Sequence, residues 1–427
     1  MRTHLFKYIA LVLCPLALVA CKRDMFDPSA YKTIIQESFP VENIDPAHNW
    51  NLTQSHSTVV NANVDATINI TQIRILNGNP YSTKKVEVLA ETDASRGDTK
   101  TLSYYTPAYQ KELYIAAVTD DGRHLLKTFN VDSQPTVELS DVQEYDTKIN
   151  KPIYQTYTYL YETTYPEPGD WDFNDLVMRI QKLPAQSNNE IRLEVTLEAV
   201  GCQKQVAAAI HLLNYSYDDI ESVTTEDGRT FDGGLNIKRT FIEKPDLLLK
   251  GLHGEAIVNL FEDAHYALAA QLEAKEYGGN PKHIFYNTHR KPSGNTQAQV
   301  AAKRITYVIK LKNPQQAGNF SLEDIDPFAM EDFNSGRWEI HTFAHKSDQM
   351  LHDLGSNETA KSNNMSWALV IPSSTFRWPI EGESLGLYKE GILTGAYMKS
   401  GHSYAQWVRD HTICLDWFIY PTTGLVY

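Results

Sequence analysis

Cysteine is scarce, with four in 427 residues. Cys14 and Cys21 fall in the opening apolar stretch, so only Cys202 and Cys414 belong to the body of the chain. That leaves little for cysteine catalysis. In an oxidising compartment the two could pair with each other, or they could stand as separate buried thiols. Positive charge is also short: 39 lysines and arginines against 53 acids give a formal net charge of −14. Phosphate binding needs a basic face and no arginine-rich stripe is present, which argues against a nucleic-acid partner. Excess acid suits cation binding or solubility instead. Past the first twenty residues, no run reaches the roughly twenty uninterrupted apolar positions of a membrane helix. The nucleophile elbow GxSxG, the phosphate loop GxxxxGK and any solenoid-period repeat are missing. Helical periodicity is rare, with short helices expected only near "SDQMLHDLG" and "HSYAQWVRD".

What the chain does have begins at its first residue. "MRTHLFKYIALVLCPLALVAC" carries Arg2 and Lys7, then an apolar run of roughly a dozen residues, the length of a signal h-region. Residues 1–20 therefore read as a signal peptide. The ending "LVAC" resembles the lipobox of bacterial lipoproteins, with Leu18 three positions before the cysteine, small Ala20 before it, and Cys21 as the lipidated residue. The resemblance implies a membrane anchor at Cys21, where each buried acyl methylene contributes about 0.8 kcal/mol. An ordinary secretory signal cleaved nearby is the alternative. Residues 21–45 mix charges and prolines, as a tether does.

With 42% hydrophobic residues, the chain has material for two cores. "STVVNANVDATINITQIRIL" places Val59, Ile68, Ile70, Ile73 and Ile75 in near alternation, the period of a half-buried strand pair. Asp121-Gly122 between two apolar runs predicts a hairpin. Residues 46–140 read as an N-terminal β-sandwich. Residues 150–427 read as a second sandwich, opening on tyrosines 154, 157, 159 and 161. Further strands are expected at "LVMRI", "IRLEVTLEAV", "EAIVNLF", "RITYVIKL", "RWEIHTFA", "SWALVIP" and "CLDWFIY". The expected fold is all-β: two β-sandwich domains, the second jelly-roll-like with a few short helices.

One stretch concentrates chemistry. "YPEPGDWDFNDLVMRI" sets Asp170, Asp172, Asn174 and Asp175 immediately before an apolar strand. Alternating short carboxylates and amides match the first ligand positions of oxygen-rich calcium loops, whose cation takes six to eight oxygens. An EF-hand is excluded, because its sixth position would be Asp175 in place of glycine and its terminal glutamate would be Gln181. A shorter acidic loop is left, which Glu162 or Glu167 could complete by bending back. The same residues could also form a well-made turn, since Asp and Asn bond their own backbone.

Other sites weigh less. His341 and His345 in "HTFAH" have zincin spacing, but Thr342 occupies the place of the glutamate and the preceding "RWEI" favours a strand. A glycosidase needs only two carboxylates, for which Glu323, Asp324 and Asp326 of "LEDIDPF" are available, although such acids are commonly turn and surface residues. Trp338, Trp367, Trp378, Trp407 and Trp417 could stack on sugars but suit a sandwich core better.

The chain resembles the LruC-domain surface lipoproteins of Gram-negative gut bacteria. The match is carried by "YETTYPEPGDWDFNDLVMRI" and by the C-terminal elements "DIDPF", "WEIH", "WALVIP", "FRWPIEG" and "AQWVRD...LDWFIYP". These look like the domain of unknown function that accompanies the signature, and "SFPVENIDPAHNWN" with the strands after it is similar to the N-terminal sandwich commonly found in these proteins. The resemblance covers about residues 150–427. It implies an outer-membrane lipoprotein at the cell surface, with the periplasmic face as the other orientation. It also implies a structural calcium site whose signature residues are Asp170, Asp172, Asn174 and Asp175, with Glu162 upstream; Thr163 stands where an acid is common. The expected function is a non-catalytic binding or structural module, its partner a glycan or a surface protein. A fimbria- or adhesin-associated component, and a carbohydrate-active enzyme, are the other readings.

Overall fold

The computed structural model describes residues 38–427 apart from 83–84, 145–150, 166, 234–236, 238, 270–274, 278–279, 319, 334–335 and 354–363. The signal segment, Cys21 and the first part of the tether lie outside the described residues. The fold is all-β, with two pairs of larger sheets, three two-stranded ones and only short helices among the described residues.

The N-terminal core lies between a three-stranded and a five-stranded sheet. The first runs Thr99–Pro107, Thr53–Asn61, Thr136–Glu138, and the second runs His124–Asn130, Glu112–Thr119, Ile70–Leu76, Glu87–Asp93, Ile153–Tyr154. Thr53–Asn61 and Ile70–Leu76 were expected to pair, but they lie in different sheets. Val60 buries with Ile73 and Ile75 in one shared core, so the two alternating patterns face each other from opposite walls. The predicted hairpin forms: Val118 pairs with His124, and Gly122 takes φ 84°, the left-handed backbone that glycine adopts without steric cost.

The larger core lies between a six-stranded sheet and a five-stranded one. The order of the first is Ile220–Thr225, Lys303–Leu311, Glu190–Ala199, Leu176–Leu183, Thr156–Tyr161, Ala368–Ile371. The second runs Leu248–Lys250, Glu255–Phe261, Ala207–Ser216, Ile325–Phe333, Gly336–Ile340. The tyrosine run explains how the layers are tied. Tyr157, Tyr159 and Tyr161 share one face of their strand and are all buried. The Tyr161 hydroxyl donates to the Pro327 carbonyl of the facing sheet at 2.7 Å, and the Tyr157 hydroxyl to the Glu323 carboxylate at 2.9 Å. Tyr157 and Tyr161 thus keep their apolar rings in the core and their polar tips satisfied.

The chain ends cover this sandwich. Phe39, Val41, Trp50 and Leu52 pack into the larger core, as do Trp367, Trp378, Trp407 and Trp417; Trp338 packs against it half-buried. "CLDWFIY" is not a strand: Trp417–Ile419 is one turn of 3-10 helix. Adjacent Trp417 and Phe418 are both buried, which a strand with one buried face cannot achieve. "HSYAQWVRD" does contain a helix, Tyr404–Arg409, whose first turn is capped by Ser403 accepting from the Gln406 amide at 3.2 Å. The described part of "SDQMLHDLG" forms turns. Its Leu351 and His352 amides donate to buried Glu339 Oε1 at 2.7 and 3.0 Å, and that carboxylate takes the donors a helix would have used.

Candidate metal centre

Leu176 pairs with Tyr161 in an antiparallel register, so residues 162–175 form the loop joining two neighbouring strands at one end of the larger sheet. Inside it Trp171 and Phe173 have φ of 60° and 55°, a left-handed backbone that costs roughly 1–2 kcal/mol per non-glycine residue. Packing holds them there. Both rings are buried, and Trp171 meets Phe39 edge-on at 4.8 Å and Trp367 at 4.9 Å. With every second residue anchored in the core, the intervening acids are turned toward a common centre.

Three carboxylates converge. Glu162, Asp170 and Asp172 each offer an oxygen, and these lie within 4.8 Å of one another. Glu162 extends the strand pairing, its amide donating to the Trp367 carbonyl at 2.9 Å. Asp172 accepts from the Asn174 amide at 3.0 Å and from Gly382 at 2.9 Å. Asp170 is the exposed member, the other two being buried.

Asn174 and Asp175 do not join this group. The Asn174 side-chain amide donates to Asp172 Oδ2 at 2.6 Å and to the Pro379 carbonyl at 3.2 Å, so it positions a ligand, while its Oδ1 is buried without a hydrogen-bond partner. Asp175 Oδ2 accepts from the Thr163 amide at 2.6 Å and its hydroxyl at 3.0 Å. Thr163, standing in the place of an acid, thereby fixes Asp175 to the strand end.

The electrostatics follow from burial. Desolvation drives the Glu162 carboxyl well above the usual carboxylate range, and the Asp175 and Asp170 charges push it further. Asp172 is raised for the same reason, then by Asp170, Glu162 and Glu381. Burial also raises Asp170. Among the described residues no ion pair joins Glu162, Asp170 or Asp172 to a basic side chain; Lys204, whose Nζ donates to the Thr163 carbonyl at 3.3 Å, pairs with Glu331 at 3.1 Å. Buried like charges without a partner are costly, so the cluster needs protons or a cation. Its donors are all oxygen, which selects a hard cation such as calcium over zinc.

Two glycines leave room for this arrangement. A Cβ on Gly169 would fall 1.8 Å from Glu162 Oε1, and one on Gly201 would fall 1.8 Å from Asn174 Oδ1. A fourth acid also borders the cluster. Glu381 has a buried Oε2 without a hydrogen-bond partner, and burial, then the charges of Asp170 and Asp175, raise its carboxyl to about 8. Sequence reasoning missed it because it lies in a distant loop; the signal available was its place in "FRWPIEG". Beside it opens a cleft of about 580 Å³ lined by His289, Arg290, Lys291, Ile380, Glu381 and Gly424.

The other sequence candidates fall into structural roles. His341 is fully buried between Asp326 at 2.6 Å and Glu339 at 3.2 Å. Asp326, expected to be a turn or surface acid, is thus a core residue. Glu323 accepts from Tyr157, and Asp324 caps its own turn by accepting from the Ser321 amide. Cys202 and Cys414 are both free, so the pairing that the sequence allowed is not formed. Cys202 is buried with its thiol toward the Lys204 carbonyl, whereas Cys414 is half-buried and faces Gln406.

Among curated proteins none matches the chain. Among solved structures, one described as a "Putative lipoprotein from Bacteroides ovatus" is similar with a TM-score of 0.47 at 13% identity, covering 84% of this chain and 99% of that one. The acidic loop precedes the segment recognised by a family model, but Glu381 and Gly382, which close the loop, fall within it. Residues 189–407, just over half of the sequence, match the model described as "Domain of unknown function (DUF4842)", and the chain belongs to that family.

Proposed function

We propose that this protein is an exported, lipid-anchored, non-catalytic binding or structural module whose 162–175 loop, of LruC type, holds a structural calcium ion. The observation that carries the reading is the convergence of Glu162, Asp170 and Asp172 within 4.8 Å with no basic side chain paired to them among the described residues. Those three residues would hold the ion, with water completing the six to eight oxygens it takes. A bound divalent cation neutralises the cluster and ties the strand end at Glu162 to the loop, which raises stability by linkage. The buried positions of Glu162 and Asp172 suit bracing better than turnover of a polymer. Export and anchoring are supported by the Arg2–Lys7 n-region, the apolar stretch and "LVAC"; the outer membrane and cell surface rest on the LruC resemblance.

The test is thermal melting of purified protein after chelation and again after calcium alone is restored. The melting point should fall and then recover. Indifference to both treatments removes the calcium reading. Protease shaving of intact cells, with and without chelator, reports surface exposure and metal-dependent rigidity together.

A further inference from the structure

A second cluster, richer in nitrogen, lies elsewhere on the larger sandwich. Asp263 follows the strand Glu255–Phe261, His265 sits in the short helix Ala264–Ala269, and His283 precedes the strand Phe285–Tyr286. One ligand atom from each falls within 4.8 Å of the others. The two imidazoles stack with centroids 4.3 Å apart and planes 19° from parallel.

The state of His265 is informative. The ring is only 2% exposed, and its Nε2 lies 2.9 Å from the Cys202 carbonyl oxygen. A carbonyl oxygen can only accept, so Nε2 carries a proton, and Nδ1 is the ring atom left to face Asp263. That Nδ1 is buried and has no hydrogen-bond partner, yet it stands 3.3 Å from Asp263 Oδ1. Oδ1 is already an acceptor for the His265 and Tyr266 amides at 2.9 and 3.3 Å. At that separation in a buried site Nδ1 and Oδ1 must share either a proton or a metal ion. His283 Nε2 stands 3.9 Å from the other carboxylate oxygen, Oδ2.

We propose that Asp263, His265 and His283 form a binding site for a divalent first-row transition metal of the zinc class. Zinc takes nitrogen and carboxylate ligands at about 2.0–2.2 Å, so neighbouring ligand atoms in a tetrahedral shell sit roughly 3.3–3.6 Å apart. His265 Nδ1 and Asp263 Oδ1 already stand at such a separation, 3.3 Å, and with all three ligand atoms within 4.8 Å of one another it is His283 that must close in to complete the shell. The Cys202 carbonyl is the outer-shell acceptor that fixes the tautomer and orientation of a ligating histidine. The fourth position is left to water. Such an ion staples the end of the Glu255–Phe261 strand to the approach of Phe285–Tyr286. Ligand chemistry separates it from the all-oxygen loop at Glu162, so the two sites sort a soft and a hard cation.

The experiment uses metal-stripped protein freed of any affinity tag, titrated calorimetrically with zinc and spectroscopically with cobalt as the visible probe. One equivalent of zinc should bind, and cobalt should give the absorption of a low-coordinate site. His283→Gln, at the more accessible ligand, should weaken zinc binding by at least about 10- to 100-fold, the scale found even for outer-shell partners, and abolish the cobalt bands. Asp263→Asn, which keeps an oxygen to cap the helix, should weaken it as well. Glu162→Gln should leave zinc binding unchanged while removing the response to calcium, so failure at one site is distinguishable from failure at the other. Absence of zinc binding overturns the proposal and leaves a protonated His265 facing Asp263. Equal stoichiometry and affinity in wild type and His283→Gln overturns it too.

Discussion

The amide of Gly382 donates to Oδ2 of Asp172 over 2.9 Å, joining loops 210 positions apart in sequence. The same oxygen receives the Asn174 side-chain amide at 2.6 Å, so one carboxylate fixes both the acidic loop and the segment that closes it. Asp172→Ala removes a ligand and takes the acceptor from three donors, the Asn174 and Gly382 backbone amides and the Asn174 side chain, of which the last keeps its bond to Pro379; the unsatisfied groups alone cost about 1–3 kcal/mol. The bound cation adds about 2.7 kcal/mol at a hundredfold excess over its dissociation constant. Melting in calcium should therefore fall by several degrees, and adding or chelating calcium should no longer move it.

Glu162→Gln separates charge from shape. In chelator, wild-type Glu162 is a buried acid pushed up by desolvation and by Asp175 and Asp170, so a neutral isostere should stabilise the protein, on the order of 1 kcal/mol. In calcium the same change removes a charged ligand and should destabilise it. The measurement is the melting-point difference between variant and wild type in the two buffers. The same sign in both would contradict a cation at this loop.

Gly169→Ala addresses room without touching a ligand. Its Cβ would fall 1.8 Å from Glu162 Oε1, so the carboxylate must swing away from Asp170 and Asp172. The overpacking should cost about 1–3 kcal/mol, and calcium affinity measured by titration should drop while the far-UV circular dichroism of the fold is kept.

How much of this was legible in the sequence depended on whether local pattern or distant contact decided the outcome. Alternating tyrosines at 157, 159 and 161 announced a strand, and the structure buries all three on one face. The acid-rich spacing pointed to Asp170, Asp172 and Asn174 and left Glu162 and Glu167 as alternatives upstream. It could not show that Glu162 is the acid drawn to Asp170 and Asp172, or that Asp175 is held by Thr163, because those contacts are made only in the fold. Glu381 was invisible because only the folded chain brings it to the loop. Asp326 was expected to be a turn or surface acid because its partner, His341, follows directly on the end of the neighbouring strand Gly336–Ile340 and nothing local marks the pairing.

That pairing predicts a pH dependence. Burial alone would lower the His341 pKa, but the Asp326 charge and the hydrogen bonds that His341 donates to Asp326 and Glu339 outweigh it and raise it from 6.5 to about 10. Its contribution to stability is complete below about 6.5 and declines as pH rises toward 10. Burial would raise Glu339, yet bonds from His341 and His352 lower it from 4.5 to about 2. That contribution is present above 4.5 and is lost as pH falls toward 2. Denaturant melts should show both limbs. His341→Gln should cost about 3–5 kcal/mol at neutral pH, because it strands two buried carboxylates, and should flatten the alkaline limb.

The two body thiols give the last prediction. Burial raises the Cys202 pKa well above the usual thiol range, and the Asp175 charge adds to this. Burial also raises Cys414, but that residue is only half-buried. Alkylation proceeds through the exposed thiolate, so native protein should label slowly at Cys414 and not at Cys202 until denaturant opens the core. Because neither is engaged in a bond to the other, reductant should leave the labelling of both unchanged. Labelling of Cys202 and Cys414 that requires reductant, followed by intact mass, would instead reveal a disulfide and a different packing of the C-terminal segment against the larger sandwich.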